Sequence, residues 1–432
     1  MNKIPPVTLV AGSLIAFTLI TPAQEWPRFH GPNGTGISHA KTIPTKISES
    51  DLNWKLDLPG SGKSSPVLWG ERVFVTCTGD KAGGIAVLCA NASDGKVLWK
   101  RDFPLSPFPR HQFNSFAAAT PTADAERVYV VWNEPDHYWL TALDHQGKTL
   151  WQRDFGPFVS QHACGASPML CDGKVILPNF QDDPEFVEGP MPDKRTGKSS
   201  IIAVSARTGE TLWQTPRRST VVAYSTPCLF EPKGGQRALI FNSQSHGISA
   251  LDPDSGKVLW EYEQAFDKRS ISSPLIAGDI VFGSCGSGAG GNLVTAIRAG
   301  DAAKGRKPKL AYQLKKSAPY VTTGVVVGDR AWFWSDSGIV TCLSAPTGDV
   351  LFQERVGGNY FGSPVWVDGR LFCVSTSGEV AVVEASDKFS VLHRYALHER
   401  CHSTPAVAAR RLFIHTDKTL WSFGGPRKFP AP

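Results

Sequence analysis

The sequence predicts an all-β chain folded as an eight-bladed β-propeller of four-stranded antiparallel blades, and three observations carry that expectation. The first is a recurring hairpin. Ser249–Glu263 reads Ser-Ala-Leu-Asp-Pro-Asp-Ser-Gly-Lys-Val-Leu-Trp-Glu-Tyr-Glu. Asp254, Ser255 and Gly256 are turn chemistry, since glycine tolerates positive φ while Asp and Ser bond their own backbone. Related stretches lie at Ala90–Lys100, Ala142–Gln152 and Ala203–Gln214, and a weaker copy at Leu343–Gln353 carries Phe352 in place of Trp. The second observation is a Ser/Thr-Pro step followed by an apolar run, a short turn and another apolar run. Its proline falls at Pro66, Pro121, Pro168, Pro227, Pro274, Pro364 and Pro405, and Thr323-Gly324 takes the remaining place. Units of this kind, roughly 40–60 residues apart and built from short strands, mark the blades of a propeller. Third, no long stretch shows the apolar period of about 3.6 that a helix needs.

The elements follow in chain order. Residues 1–23 read as a secretory leader: Lys3 gives a weak positive region, Val7–Ile20 is an apolar run too short to span a bilayer comfortably, and Ala23 suits signal peptidase. Cleavage is expected after Ala23, no lipoprotein-type Cys follows it, and the expected location is periplasmic or secreted. An uncleaved anchor is the alternative. Residues 24–51 form a Gly/Pro-rich coil, Glu25–Ser38 reading Glu-Trp-Pro-Arg-Phe-His-Gly-Pro-Asn-Gly-Thr-Gly-Ile-Ser, expected to wrap over the propeller without forming an element. His30, with no metal-spaced partner, is expected to be structural. Leu52–Leu58 alternates and carries Trp54 but has nothing of its own to pair with. The eighth unit, after Ser403-Thr404-Pro405, has Arg411–His415 and Thr419–Phe423 and then lacks a fourth strand. Residues 52–58 should therefore complete the last blade and leave no open edge. The propeller is expected over 52–425, with 426–432 as a tail. In unit one the strands are expected at Val67–Trp69, Arg72–Thr76, Ile85–Ala90 and Val97–Phe103. The aromatics opening each fourth strand, Trp54, Trp99, Trp151, Trp213, Trp260 and Phe352, are expected to fill the gaps between blades, because they are large and apolar, and all but Trp54 follow a turn glycine.

Composition bounds the function. The chain of 432 residues has a formal charge of +6, spread along its length in short runs such as Lys304–Lys309. Without a concentrated basic stripe, no nucleic-acid partner is expected. The 9 cysteines include no CxxC pair and no adjacent pair, so zinc is unsupported. Cys77 and Cys89 flank a hairpin and could face each other across it; the rest read as small buried hydrophobes. Gly286–Gly291 contains a formal GxGxxG but joins two strands, so it lacks the helix N-terminus a dinucleotide needs. Asp182, Asp183, Glu185 and Glu188 form an acidic cluster on a loop, expected to be solvated.

Loop lengths separate two faces. A–B turns such as Gly70-Glu71, Asp172-Gly173 and Asp368-Gly369 are tight, and so are most C–D turns. B–C connections at Asn133–His137, Gln181–Ser199 and Gly286–Asn292 and D–A connections such as Arg153–Cys164 are long. In an up-and-down blade these long connections share one face, where binding is expected, while the opposite face should be flat and plain. The D–A loops feed the innermost strands, so their last residues ring a channel mouth. Lys63, His111, Asn114, His162, Tyr224, Arg269, Tyr320, Tyr360 and His402 are the candidate ligand-binding residues. The cations favour an anionic ligand and the tyrosines a flat or sugar-like one.

The Ala-Leu-Asp-x-x-(Ser/Thr)-Gly-Lys-x-Leu-Trp pattern, best seen at Ala250–Trp260 and Ala142–Trp151, resembles the repeat of pyrroloquinoline-quinone-type propellers. That superfamily includes the quinoprotein alcohol dehydrogenases and BamB, a subunit of the outer-membrane β-barrel assembly machinery. The Trp26–Pro32 opening is similar to one common in exported propellers of this superfamily. What the resemblance implies for the enzymes is a quinone held over Ca²⁺ by Glu and Asn with an Asp base, often with a disulfide between adjacent cysteines. No such set is placed by motif, and neither an adjacent Cys pair nor a CxxCH haem site occurs. No catalytic residue, metal or cofactor is therefore expected; pyrroloquinoline quinone (PQQ) and Ca²⁺ belong to an alternative reading as an alcohol or sugar dehydrogenase. The leading expectation is a monomeric, non-catalytic scaffold that binds a protein partner or a small anionic or sugar-like ligand through its long-loop face. A membrane-associated assembly role like that of BamB is the third reading.

Overall fold

The computed structural model describes residues 25–425 apart from 80–83, 107, 109–113 and 192; the leader, His111 and the tail lie outside the described residues. Eight sheets close into a ring, seven of them sequential meanders. Blade 1 consists of Val67–Trp69, Arg72–Thr78, Gly84–Asn91 and Val97–Pro104, strands A to D from the channel outward. Blade 8 takes Ala406–Ala408, Arg411–His415 and Thr419–Phe423 from the end of the chain and Leu52–Asp57 from its beginning. Leu52–Asp57 pairs antiparallel with Thr419–Phe423, Leu56 opposite Leu420, which is the closure the unpaired strand required.

The hydrophobic core is a set of layers between blades. One layer joins Val67, Phe74 and Val87 of blade 1 to Val128, Val130 and Trp132 of blade 2, and similar layers follow around the ring. Each layer is stapled near the C–D turns. The indole N–H groups of Trp54, Trp99, Trp151 and Trp213 donate to the carbonyls of Ala92, His145, Ala206 and Pro253, each on the C–D turn of the next blade, at 2.8–3.2 Å. The rings lie over turn glycines with positive φ, Gly95, Gly147, Gly209 and Gly256, where an added Cβ would come within 2.4–2.8 Å of the indole. Only glycine permits both the turn and the stacking. Trp260 presses on Gly300, and Phe352 packs against Phe389 with ring centroids 5.7 Å apart. Tyr312, which the repeat pattern does not reveal, fills this place in blade 5 with its hydroxyl on Ala345 O and its ring over Gly348.

The Ser/Thr-Pro step has its own role. The backbone N–H of Ser65 donates to Thr120 Oγ1, Thr120 to Ser167, and so on through Thr226, Ser273, Thr323, Ser363 and Thr404, which returns to Ser65. These eight bonds of 2.9–3.2 Å form a closed ring around the channel waist, each worth about 1 kcal/mol net.

Several expectations are corrected. The A–B face is not plain: the N-terminal segment, residues 25–51, crosses it and enters the channel. Trp26 bridges Leu68 of blade 1, Pro27 O accepts from Ala123 N of blade 2, and Asn33 bonds both N and O of Leu229 in blade 4. Ile37–Ser38 forms a short parallel strand on Val365–Val367 of blade 7, so the coil does contain an element. Ile43 and Ile47 join the core layer at the seam, and Ile47 O accepts from His393 Nε2, supplying the carbonyl that blade 8 lacks for want of a C–D turn. Cys77 and Cys89 do not face each other, because Cys77 pairs with Ala86 and Cys89 with Phe74 and they enter different core layers. The blade 2 B–C connection is a two-residue turn, since the strands run on through Glu134 and resume at His137. All 9 cysteines are buried and free. Among the described residues no helix is long and apolar enough to cross a membrane.

Candidate functional site

On the long-loop face the structure brings the candidates together in two groups. The larger spans blades 3 to 6. Tyr224, Arg269 and Tyr320 come from successive D–A loops; Arg269 lies beside the Tyr320 hydroxyl and within electrostatic range of Tyr224 and Asp182. Burial pushes both tyrosines up, which keeps their hydroxyls protonated donors. The His162 and Tyr224 rings are 6.5 Å apart, and Asn114 Nδ2 donates to His162 O. The second group is His402, its ring tilted against Phe361 with centroids 5.2 Å apart, and near Lys63. Burial, then Lys63 and Arg400, bring His402 down to about 4, so it is neutral at physiological pH. Its Nδ1 stands 3.8 Å from Asp417, beyond hydrogen-bond reach. Tyr360 does not reach the mouth; it is fully buried, edge-on to Trp334 at 5.1 Å.

Two carboxylates frame the larger group. Asp182, expected to be solvated, is 0% exposed. Its oxygens accept from Val222 N at 2.6 Å and Gln161 N at 2.7 Å, tying together the D–A loops of blades 3 and 4. Asp336 does the same for the loop into blade 6, accepting from Tyr320 N at 2.7 Å and Val321 N at 2.9 Å. Desolvation raises both acids despite these donors. Sequence reasoning missed Asp336, one acidic residue in a tight turn; the signal was the Ser335-Asp336-Ser337-Gly338 turn facing an aromatic D–A loop.

A further network lies at the rim between blades 3 and 4. Arg217 pairs with Glu261 at 2.7 Å, and His246 Nδ1 stands 3.2 Å from the same oxygen. Arg218 N donates to His246 Nε2 at 2.9 Å, so Nδ1 carries the proton that goes to Glu261. Burial alone would raise Glu261, but His246 and Arg217 overcome it and bring its pKa down to about 2. His246, Glu261 and Glu263 stand close enough for a metal, yet Glu261 and Glu263 already hold the guanidinium groups of Arg217 and Arg218.

A Ca²⁺ ion under a quinone needs several oxygen ligands at the mouth. Among the described residues Asp182 and Asp336 spend both oxygens on backbone N–H groups, and Arg269 sets a positive charge near Asp182. The residues present do not fit that ion.

Four-stranded blades, the aromatic–glycine staples and the Ser/Thr ring define a PQQ-like β-propeller. The chain belongs to the family described as outer membrane protein assembly factor BamB, whose profile matches residues 45–183, 140–354 and 336–424. It is 24% identical to a polyvinylalcohol dehydrogenase from a Pseudomonas species over 99% of this chain and 62% of that protein. A second polyvinylalcohol dehydrogenase, from Sphingopyxis, matches 52% of this chain and 37% of its own length at 24% identity. The chain thus spans less than two thirds of both curated relatives. Among solved structures, BamB from Moraxella catarrhalis superposes with a TM-score of 0.58 at 15% identity, covering 88% of this chain and 99% of that one. A quinohemoprotein alcohol dehydrogenase from Pseudomonas putida HK5 gives 0.61 at 13% identity, covering 94% and 82%. At these identities the two structures support the fold.

Proposed function

We propose that the protein is an exported, monomeric binding scaffold that takes an acidic ligand, either a small carboxylated sugar-like molecule or an acidic segment of a protein partner, at the long-loop mouth of its channel. The observation that carries this reading is the arrangement around Arg269. The neighbouring acids Asp182 and Asp336 are committed to backbone amides, so the chemistry left at the mouth is a guanidinium between two tyrosine hydroxyls. A guanidinium fork matches a carboxylate in two parallel hydrogen bonds, and tyrosine faces suit a flat or ring-shaped body. The N-terminal segment closes the A–B end, which directs access to this face. The likeness to BamB agrees with a protein-binding role in the periplasm.

A second reading, a quinone-dependent alcohol or sugar dehydrogenase, is favoured by the two polyvinylalcohol dehydrogenase relatives. The test separates the two. Purified protein is titrated calorimetrically with uronic acids and neutral sugars. It is then incubated with PQQ and Ca²⁺ and assayed for dye reduction across alcohols, sugars and polyvinyl alcohol. Uronate binding without turnover supports the scaffold; stoichiometric quinone uptake with turnover overturns it.

A further inference from the structure

One C–D connection departs from the others. Between the outer strands of blade 5, Leu293–Arg298 and Lys309–Leu314, the chain runs through residues 299–308, longer than any other C–D connection. Lys304, Arg306, Lys307 and Lys309, on this loop and at its end, are all exposed. The loop's one acid, Asp301, is only 2% exposed and stands 3.4 Å from Lys304 and 3.9 Å from Arg306. Every other C–D turn carries or adjoins an acid that is at least partly exposed: Asp94, Asp144, Glu210, Asp254, Asp349 or Asp387. Blade 5 alone turns positive charge outward without an exposed acid beside it.

The loop is held in shape by its own backbone. Asp301 N donates to Arg306 O at 2.7 Å, and Arg306 N returns to Asp301 O at 2.9 Å. Ala303 N donates to Gln236 Oε1 at 3.2 Å and Lys304 Nζ to Gly234 O at 2.6 Å, so the loop leans on the A–B turn of blade 4, which carries the exposed Lys233. Arg298 stands directly opposite Lys309 in the ladder, an arrangement of like charges that destabilises a sheet. Arg298 has Asp279 at 3.0 Å, but among the described residues Lys233, Lys307 and Lys309 have no ion pair. The charge is complementary to an anionic surface outside the chain. Leu310, next to Lys309, is 48% exposed, and Val350 and Leu351 are exposed at the same end of the outer strand of blade 6. Cations beside exposed apolar side chains suit a lipid headgroup layer better than an acidic polypeptide, which offers the cations partners but gives the leucine nowhere to go. The A–B turns on this face are short, so a flat surface can approach without meeting the long loops. We propose that this corner of blades 4 and 5 docks on a membrane containing anionic lipid, with Lys233, Lys304, Arg306, Lys307 and Lys309 on the headgroup phosphates and Leu310 at the acyl boundary. The mouth around Arg269 opens on the opposite face and stays accessible, and the docking stands whether or not the mouth binds a carboxylate.

The test uses the exported form without the apolar run Val7–Ile20, because that run would itself partition into lipid. The protein is sedimented with vesicles of phosphatidylcholine alone and of phosphatidylcholine and phosphatidylglycerol in equal parts. It should pellet with the anionic vesicles only and be released as salt rises. The double variant Lys307→Gln/Lys309→Gln should lower the partition by about 25-fold, about fivefold for each charge removed. Leu310→Ser should lower it several-fold while leaving its salt dependence unchanged, which a purely ionic contact would not show. All three positions are exposed, so circular dichroism should report an unchanged fold. Arg269→Ala should bind the vesicles as the wild type does. Equal sedimentation with neutral and anionic vesicles, undiminished binding by the double variant, or loss of binding in Arg269→Ala overturns the proposal. Retention on immobilised polyglutamate without vesicle binding overturns it too, in favour of an acidic protein partner.

Discussion

The two faces of the ring use their loops in opposite ways. On the A–B face the turns are short, and a single segment from elsewhere in the chain covers them. Residues 25–51 bond to the inner strands or turns of blades 1, 2, 4, 7 and 8 and bury Trp26, Arg28 and His30. On the opposite face each blade contributes its own loop, and the loops are tied to one another by acids such as Asp182 and Asp336. One face is a brace and the other a mouth. Propellers stabilise the ring through contacts between neighbouring blades; here the brace adds contacts between blades that are not neighbours.

This contrast predicts where damage falls. Deleting residues 25–58 removes the brace and the closing strand together and exposes the edge of Thr419–Phe423. The expected outcome is loss of the soluble monomer, read by size exclusion and circular dichroism, because an unpaired flat strand recruits another chain. A soluble, cooperatively melting monomer would show that neither element closes the ring. Trp26→Ala separates the brace from the strand. A fully buried Trp lost from a packed layer costs about 3–5 kcal/mol in urea unfolding. A cost below about 0.5 kcal/mol, within the range of ordinary surface substitutions, would reduce the segment to a covering.

The sequence showed the ring more fully than the brace, for a physical reason. Blades repeat, so the Trp–Gly staples and the Ser/Thr-Pro steps appear several times over and each copy supports the others. The closing strand was legible because blade 8 visibly lacked a partner for Thr419–Phe423. The segment at Trp26–Asp51 occurs once, has little regular structure, and binds through backbone groups and isolated side chains, which leave no period to read. Tyr312 escaped for a related reason: it staples as Trp does but through a hydroxyl. At the mouth the D–A residues were placed on the correct loops, yet Tyr360 turned into the core because Trp334 offers a ring edge beneath it. Whether Asp182 is solvated or buried depends on two amides from loops 21 and 40 residues away, which spacing along the chain does not encode.

The rim network gives a smaller and pH-dependent effect. Glu261→Gln leaves Arg217 buried without its counter-charge and should cost about 2 kcal/mol at neutral pH, read by urea unfolding. Glu261 has a folded pKa of about 2, below the ordinary value near 4.3. Its contribution is present above the ordinary value and is lost as the pH falls toward the folded one. The stability gap between wild type and Glu261→Gln should therefore be constant above about pH 5 and narrow between about pH 4.5 and pH 2. A gap that widens on acidification would mean that Glu261 enters the fold protonated.

Arg269 should show the smallest effect on stability and the largest on binding. Its position is set by its own loop, with Arg269 O accepting from Gly286 N at 3.0 Å, so the backbone at the mouth does not depend on the side chain. The flanking loops are fixed by Asp182 and Asp336 through amides that Arg269 does not contact. Arg269→Ala should thus change unfolding free energy by no more than about 0.5 kcal/mol, the range of surface substitutions, while removing carboxylate binding measured calorimetrically. Arg269→Lys should restore charge without the bidentate fork and recover only part of the affinity. If Arg269→Ala instead destabilises the protein as much as Trp26→Ala, the mouth is a second brace, and the division of labour between the two faces fails.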